Sequence, residues 1–160
     1  MSGTANPDDT RRGVLIEAAT IGLTTGAYGV SFGALSVTSG LSVWQTMALS
    51  ALMFTGASQF ALVSVLAGGG SAVAAVAGSA LLGLRNLFYG LRMRQILQPS
   101  PALSVPAAQL TIDESTAMAL AHYDRPEPRP ALAFWSTGLS VFVLWNLGSL
   151  IGALGASSIG

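Results

Sequence analysis

The order of apolar and polar positions divides the chain into long hydrophobic stretches separated by short polar ones. Residues 18–84 and 130–160 contain no Asp, Glu, Lys or Arg. A membrane-crossing helix needs about 20 apolar residues, because the hydrocarbon core is about 30 Å thick. The first stretch can therefore hold up to three crossings and the second can hold one. The pattern predicts an all-α, polytopic integral membrane helical bundle, with room for a re-entrant or discontinuous helix.

Turn signals separate the hydrophobic segments. A Ser-Gly turn at 39–42 is too short to cross anything, and three glycines at 68–70 interrupt the chain again. The apolar run after Arg11 and Arg12 is too long for a cleaved signal peptide, so we expect a retained first helix. We expect one membrane domain over residues 1–160, with hydrophobic segments at 13–37, 43–66, 71–91 and 131–160 and a polar, Pro-containing region with a short helix at 92–130.

Two segments carry stripes of glycine. Spacings of three and four residues place these glycines on one face of a helix. In lipid, small residues let two helix backbones approach closely, so we interpret the stripes as helix-packing surfaces. The alternative for the first stripe is a locally unwound helix that offers carbonyl groups to a ligand. The stripes are Gly22, Gly26, Gly29 and Gly33 in the first segment and Gly148, Gly152 and Gly155 in the last.

Polar side chains also occur inside the apolar segments. The second segment has FTGASQFALV at its centre, which places Ser58 and Gln59 among apolar neighbours. A buried amide without a partner is costly, so Gln59 is expected to bond either to another helix or to a ligand. The third segment ends in LLGLRNLFYGL, with Arg85 and Asn86 between apolar residues. Arg85 is a functional residue if it lies in the core, or an interfacial anchor assisted by Tyr89 if it snorkels.

An acidic pair lies in the polar region, in the string LTIDESTAMA. Thr111 followed three positions later by Glu114 is a capping-box pattern, which predicts a helix reaching about His122. Asp113 and Glu114 would then lie beside the positive end of the helix dipole. Two interpretations remain: a short surface helix whose acids only cap it, or a half-helix at membrane depth.

Composition excludes several classes of function. Charged residues make up 9% of the chain and the net charge is zero, so there is no basic surface for a nucleic-acid partner. The absence of cysteine excludes disulfides and thiolate metal sites, and we expect neither a metal nor a cofactor. An intramembrane serine protease built on Ser58 is disfavoured, because the single histidine, His122, lies beside the RPEPRP linker.

The positions of the arginines contradict the simplest topology, in which the first three segments each cross the membrane. Arg11 and Arg12 place the N-terminus in the cytoplasm by the positive-inside rule. Three full crossings would then leave Arg92, Arg94 and the arginines of RPEPRP outside. The contradiction disappears if one segment is re-entrant or if the 102–123 region is itself inserted.

Four strings, FTGASQF, LRNLFYG, LTIDESTAMA and GLSVFVLWNLGSLIGALG, occur in an order that resembles the AzlC family of branched-chain amino acid permeases. The resemblance implies a multi-pass exporter in the cytoplasmic (inner) membrane that works with a small hydrophobic subunit of the AzlD type and is not an enzyme. Three departures stand out. Asn86 replaces a typical histidine, a common first-helix proline is missing from AATIGLTTG, and further hydrophobic segments after the fourth are absent, as expected of a partial copy.

A branched-chain amino acid is a zwitterion with an apolar side chain, and the chain offers groups for each part. We assign Arg85, Asn86, Ser58 and Gln59 to substrate binding, with Arg85 on the carboxylate. Asp113 and Glu114 would bind the ammonium group or carry a coupling proton. Phe54, Phe60 and Leu62 would supply the apolar pocket for the branched side chain.

The alternative function is a non-transporting membrane scaffold or channel-like subunit.

Overall fold

A computed structural model describes residues 7–158, with side chains from residue 11 onward. All regular secondary structure in this range is α-helical, which confirms the predicted all-α membrane fold. The helices are α1 (Pro7–Thr38), α2 (Val43–Leu52), α3 (Gly56–Ala67), α4 (Ala72–Leu97), α5 (Pro101–Gln109), α6 (Asp113–Ala121) and α7 (Pro130–Ser157).

Helix length separates the seven helices into two groups. Three of them, α1, α4 and α7, are long and apolar enough to cross a membrane. The other four have between 9 and 12 residues. At 1.5 Å per residue they extend about 14–18 Å, which is roughly half of the hydrocarbon core. Between residues 7 and 158 the fold therefore consists of three spans and four half-helices.

The spans α1 and α7 run parallel and touch through their glycines. A Cβ atom added to Gly26 would lie 2.9 Å from Cβ of Leu144, and one added to Gly33 would collide with the carbonyl oxygen of Ser149. From one contact to the next, the residue numbers increase in both helices, so α1 and α7 run in the same direction. Gly148 and Gly152 of α7 likewise meet backbone atoms of α1, and all four glycines of the first stripe lie against α7. Gly155 has no neighbour within 4 Å of such an atom.

The segment predicted as one helix over 43–66 is instead two half-helices, a correction to the sequence-based boundaries. Along α7, Ser149 and Phe142 are seven residues apart, or about 10 Å. The Ser50 hydroxyl bonds to that of Ser149 at 3.1 Å, and the Phe54 ring lies 5.0 Å from the Phe142 ring. The helix α2 therefore descends beside α7 to the middle of the bundle.

The following half-helix returns to the side from which α2 came. It begins at Gly56, next to the Trp145 ring, and four residues later the Phe60 ring contacts Phe32 at 5.9 Å. The turn at Gly68–Gly70 then leads into α4, which packs along α3 in the opposite direction. Helices α2 and α3 form a re-entrant hairpin, called here the first hairpin.

A second hairpin, made of α5 and α6, enters from the opposite end. At its tip the Gln109 side chain donates to the Ala51 carbonyl at 2.8 Å, so the tips of the two hairpins touch. Helix α6 then runs back, and His122 Nε2 lies 3.0 Å from a carboxylate oxygen of Glu17 near the start of α1. The proline-rich stretch before the tip, interpreted from sequence as a linker, is the helix α5. Its first residue is Pro101, a position where proline is favoured.

These hairpins resolve the contradiction in orientation. Neither crosses the bundle, so only α4 separates the end of α1 from the end of α4. Arg92 stacks 5.6 Å from the ring of Tyr123, which follows α6, and this joins the end of α4 to the end of α6. Both proposed remedies, a re-entrant second segment and an inserted 102–123 region, are present. One end of the bundle, called here the arginine end, carries Arg11, Arg12, Arg92, Arg94, Arg125 and Arg129.

Candidate functional site at the meeting point of the hairpins

A cavity of about 250 Å³ lies where the two hairpin tips meet, and is called here the central cavity. The first turns of α3 and of α6 both open on it, and the spans α4 and α7 close its sides. Helix N-termini carry free N–H groups and the positive end of the helix dipole. Two such ends therefore point at one small space. The lining residues are Phe54, Thr55, Gly56, Ala57, Arg85, Ile112, Asp113, Glu114, Val141 and Trp145.

The start of α3 is an uncapped helix end covered by an aromatic ring. Thr55 has extended backbone angles and its side chain makes no capping hydrogen bond. A Cβ atom on Gly56 would lie 3.1 Å from the ring of Trp145, so the indole lies directly against this backbone. Within residues 11–158 the buried Nε1 of Trp145 has no hydrogen-bond partner. Unpaired N–H groups of this kind suit an anionic group such as a carboxylate.

The start of α6 differs from the predicted capping box. Thr111 remains part of the preceding turn, because its hydroxyl donates to the Ala107 carbonyl at 2.7 Å. The helix begins one residue later than expected, at Asp113, with Ile112 as the N-cap residue. The Ser115 hydroxyl accepts from the Ile112 N–H at 3.2 Å, and so takes the role that the sequence assigned to Glu114. The prediction of a Thr111–Glu114 capping box is wrong, and Glu114 is released to face the central cavity.

An ion pair joins α4 to α6 across the central cavity. Arg85 Nη2 lies 2.8 Å from Asp113 Oδ2, and the two side chains are 35% and 43% exposed. Tyr89, one turn after Arg85, lies close enough to interact with the same carboxylate. An arginine at this depth is costly without a partner, which explains the pairing. The exposure shows that the pair remains accessible from the cavity.

Two other predicted substrate residues lie outside the central cavity. The Gln59 amide nitrogen donates to the carbonyl oxygens of Met53 at 2.8 Å and Leu49 at 3.0 Å, at the end of α2. This geometry corresponds to the first of its two predicted alternatives, a bond to another helix. Ser58 is buried against Gly83 of α4. Gln59 thus links the two helices of the first hairpin, and Ser58 packs against α4.

Asn86 lies on a different face of α4 from Arg85. It lines a larger cavity of about 600 Å³ between α4 and α5, called here the side cavity. Of the three residues expected to supply an apolar pocket, Phe54 lines the central cavity, whereas Phe60 and Leu62 belong to the apolar core nearby. The structure therefore brings together Arg85, Asp113 and Glu114 among the predicted site residues.

Sequence reasoning missed three residues that shape this site: Thr55, Trp145 and Gln109. The Thr55–Gly56 pair was visible as a polar, flexible point inside an apolar run. Trp145 gave no signal beyond its place in a charge-free helix, and Gln109 stood in a stretch interpreted as linker. Among the described residues no group of three or more His, Asp or Glu side chains could hold a metal ion.

The arrangement can bind a zwitterion. Arg85 and the N-terminus of α3 offer positive potential, while Asp113 and Glu114 supply negative charge a short distance away. Phe54, Val141 and Trp145 add an apolar wall. Discontinuous helices whose ends meet at a midplane site are a recurring solution for binding charged substrates in membranes.

Comparison with known proteins agrees with the motifs. The family model described as AzlC protein matches residues 20–159. No curated protein and no solved structure matches the chain. The matched range covers nearly the whole sequence and includes both hairpin tips, Arg85 and α7. The chain therefore belongs to the AzlC family.

Proposed function

We propose that this chain exports branched-chain amino acids across the cytoplasmic membrane in exchange for protons, together with a small hydrophobic subunit of the AzlD type. AzlC is a family of membrane transporters associated with branched-chain amino acids. The observation that carries the proposal is the central cavity, where two helix N-termini and an accessible Arg85–Asp113 pair surround a space with an apolar wall.

The substrate carboxylate binds between Arg85 and the N-terminal turn of α3, where Trp145 Nε1 is also free to donate. The ammonium group faces Asp113 and Glu114, and the branched side chain lies against Phe54. The volume of about 250 Å³ falls below the roughly 300–1,000 Å³ typical of sites for drug-sized ligands. A single small amino acid is the appropriate size of ligand.

The Arg85–Asp113 ion pair couples the movement of substrate to that of protons. With the cavity empty, Arg85 and Asp113 neutralise each other at 2.8 Å. A bound zwitterion offers each of them a new partner of opposite charge. A proton on Asp113 removes the charge that holds Arg85 and weakens the site for the ammonium group. Proton binding and substrate binding therefore compete at one carboxylate, which is what exchange requires.

Orientation follows from the arginines. Six of the seven lie at the arginine end, and cytoplasmic ends of membrane proteins carry an excess of basic residues. We assign the arginine end to the cytoplasm. The second hairpin then enters from the cytoplasmic side and the first hairpin from the opposite side.

Counterflow of radiolabelled leucine in proteoliposomes, with and without the small subunit, tests the proposal. We expect Arg85→Lys to lose transport by roughly tenfold or more, because an ammonium group cannot reproduce the bidentate fork of a guanidinium. The matched control is Arg125→Lys, whose exposed Nε donates only to the Ala121 carbonyl, and it should transport normally. Full transport by Arg85→Lys would remove Arg85 from the substrate site. No counterflow by the unmodified chain with its subunit would favour the scaffold alternative.

A further inference from the structure

The side cavity has no role in the function proposed so far. It lies between the arginine-end halves of α4 and α5 and has a volume of about 600 Å³. Its wall contains polar residues at successive depths. Arg94 lies near the arginine end, Ser104 lies further in, and Asn86 and Thr111 lie at the deep end.

An unsatisfied polar atom lies at the deep end. Asn86 Oδ1 is buried and has no hydrogen-bond partner within the described residues. An amide oxygen without a partner in a dry environment costs free energy, so such an atom normally contacts water or a ligand. Because an amide oxygen accepts hydrogen bonds, the matching ligand group is a donor such as an ammonium.

The two cavities are adjacent. Asn86 and Thr111 line the side cavity, while their chain neighbours Arg85 and Ile112 line the central cavity. The Arg85–Asp113 pair belongs to this shared wall. Toward the other end of the bundle the central cavity is covered by packed rings. Phe60 lies 5.9 Å from Phe32 and 6.2 Å from Trp145. The site is thus closed on one side and borders a large open space on the other.

We infer that the side cavity is a water-filled vestibule through which a zwitterionic amino acid passes between the arginine end and the central cavity, with Asn86 as the polar contact at its deep end. The inference rests on the proposed function and adds a second binding position to it. Asn86 Oδ1 accepts from the substrate ammonium before that group reaches Asp113. The Arg85–Asp113 pair is then the inner boundary that the substrate must open.

The natural absence of cysteine permits a direct test with single-cysteine variants in sealed vesicles. Gly90→Cys is the principal probe, because an added Cβ atom meets nothing within 4 Å there, and Ser104→Cys is a second probe nearer the opening. Phe88→Cys is the lipid-facing control, because Phe88 is 68% exposed and does not line the side cavity. Asp124→Cys and Gly68→Cys report the arginine end and the opposite end.

A membrane-impermeant methanethiosulfonate is added from each side, and labelling after denaturation confirms that each thiol is present. We expect Gly90→Cys and Ser104→Cys to react from the same side as Asp124→Cys, and Phe88→Cys to stay unlabelled from both sides. Saturating leucine should slow the Gly90→Cys reaction severalfold. In a Gly90→Cys background, Asn86→Leu should raise the leucine concentration needed for protection, whereas Asn86→Asp, which keeps an acceptor oxygen, should not.

Two results would overturn the vestibule. If Asp124→Cys reacts and Gly90→Cys does not, the cavity is closed to water. If leucine does not slow the labelling of Gly90→Cys in a preparation that transports leucine, the substrate does not pass through the cavity. Failure of the proposed function has a separate signature. In that case the cysteines react from the arginine end, but the unmodified protein shows no leucine counterflow.

Discussion

The α1–α7 pair and the two hairpins are held together in different ways. Between α1 and α7 the contacts are backbone on backbone, as at Gly29, where an added Cβ atom would lie 2.6 Å from the Trp145 carbonyl oxygen. The hairpins depend instead on side chains that bond to carbonyl groups near the end of α2, as Gln59 and Gln109 do. Close backbone packing cannot be adjusted without separating two helices, whereas a hydrogen bond to a hairpin tip can be exchanged. The α1–α7 pair is therefore a close-packed frame, and the hairpins are joined to it and to each other through side chains.

The largest effect on stability is expected from filling the glycine interface. Gly29→Leu places a side chain against the Trp145 carbonyl and forces the frame helices apart, at a cost of about 3 kcal/mol or more. The melting temperature in detergent measures the loss. Gly13→Leu in the same helix is the matched control, because an added Cβ atom there meets nothing within 4 Å. Equal melting temperatures for the two variants would refute a backbone-packed frame.

A smaller loss of stability is expected from the first hairpin. Gln59→Leu leaves the carbonyl groups at the end of α2 without their buried donor, at about 1–3 kcal/mol. Because the hairpin tip then loosens, leucine counterflow should fall by more than the stability change explains. Gln45→Leu is the control, since Gln45 bonds only to Ser42 at the exposed start of α2. If both variants transport equally, the Gln59 bonds do not position the site.

A third and smaller loss of stability is expected at the start of α6, where Ser115 and not Glu114 completes the cap. Ser115→Ala removes the hydroxyl that accepts from the Ile112 N–H and donates to the Leu110 carbonyl, which should cost about 1 kcal/mol. Glu114→Gln should cost less, because Glu114 has no capping bond in this structure. Thermal melting of both variants gives the comparison. The reverse order would restore the capping box predicted from sequence.

The smallest effect on stability, but a complete loss of coupling, is expected at the ion pair. Asp113→Asn keeps the shape of the side chain and removes the negative charge that faces Arg85. We expect near-normal folding, because the pair is 35% and 43% exposed and an Asn oxygen can still accept a hydrogen bond from Arg85. We expect no leucine movement driven by a pH gradient, measured in proteoliposomes. Normal pH-driven transport by Asp113→Asn combined with loss in Glu114→Gln would transfer the coupling role to Glu114. If both variants transport normally, the coupling carboxylate is elsewhere.

The α1–α7 frame could be predicted from the sequence, whereas the hairpins could not. The frame is visible because charge-free length and glycine spacing are local patterns, and both predicted the spans directly. The first hairpin was hidden because the hydropathy averaged over the length of a span stays apolar although Thr55 and Gly56 interrupt the run, so such a window cannot distinguish one helix from two. Helix α5 was hidden because prolines favour a linker, although Pro101 occupies a position where proline starts helices well.

The site was predicted only in part for a related reason. Arg85 and Asp113 were identified because charges at membrane depth are rare. Their pairing depends on two re-entrant turns, which no spacing along the chain encodes. Thr111 was assigned to the wrong helix end because its hydroxyl bonds backwards to Ala107 rather than forwards into α6.

Cross-linking between the two hairpin tips tests the central claim most directly. In the cysteine-free chain, Ala51→Cys and Gln109→Cys place thiols at the contact now made by the Gln109 amide and the Ala51 carbonyl, 2.8 Å apart. A short bifunctional thiol reagent should join this pair efficiently. The control pair, Ala51→Cys with Ser100→Cys, lies about 14 Å further down α5 and should not react. Cross-linking of the control pair with none at Ala51–Gln109 would contradict hairpins that enter from opposite ends and meet in the middle.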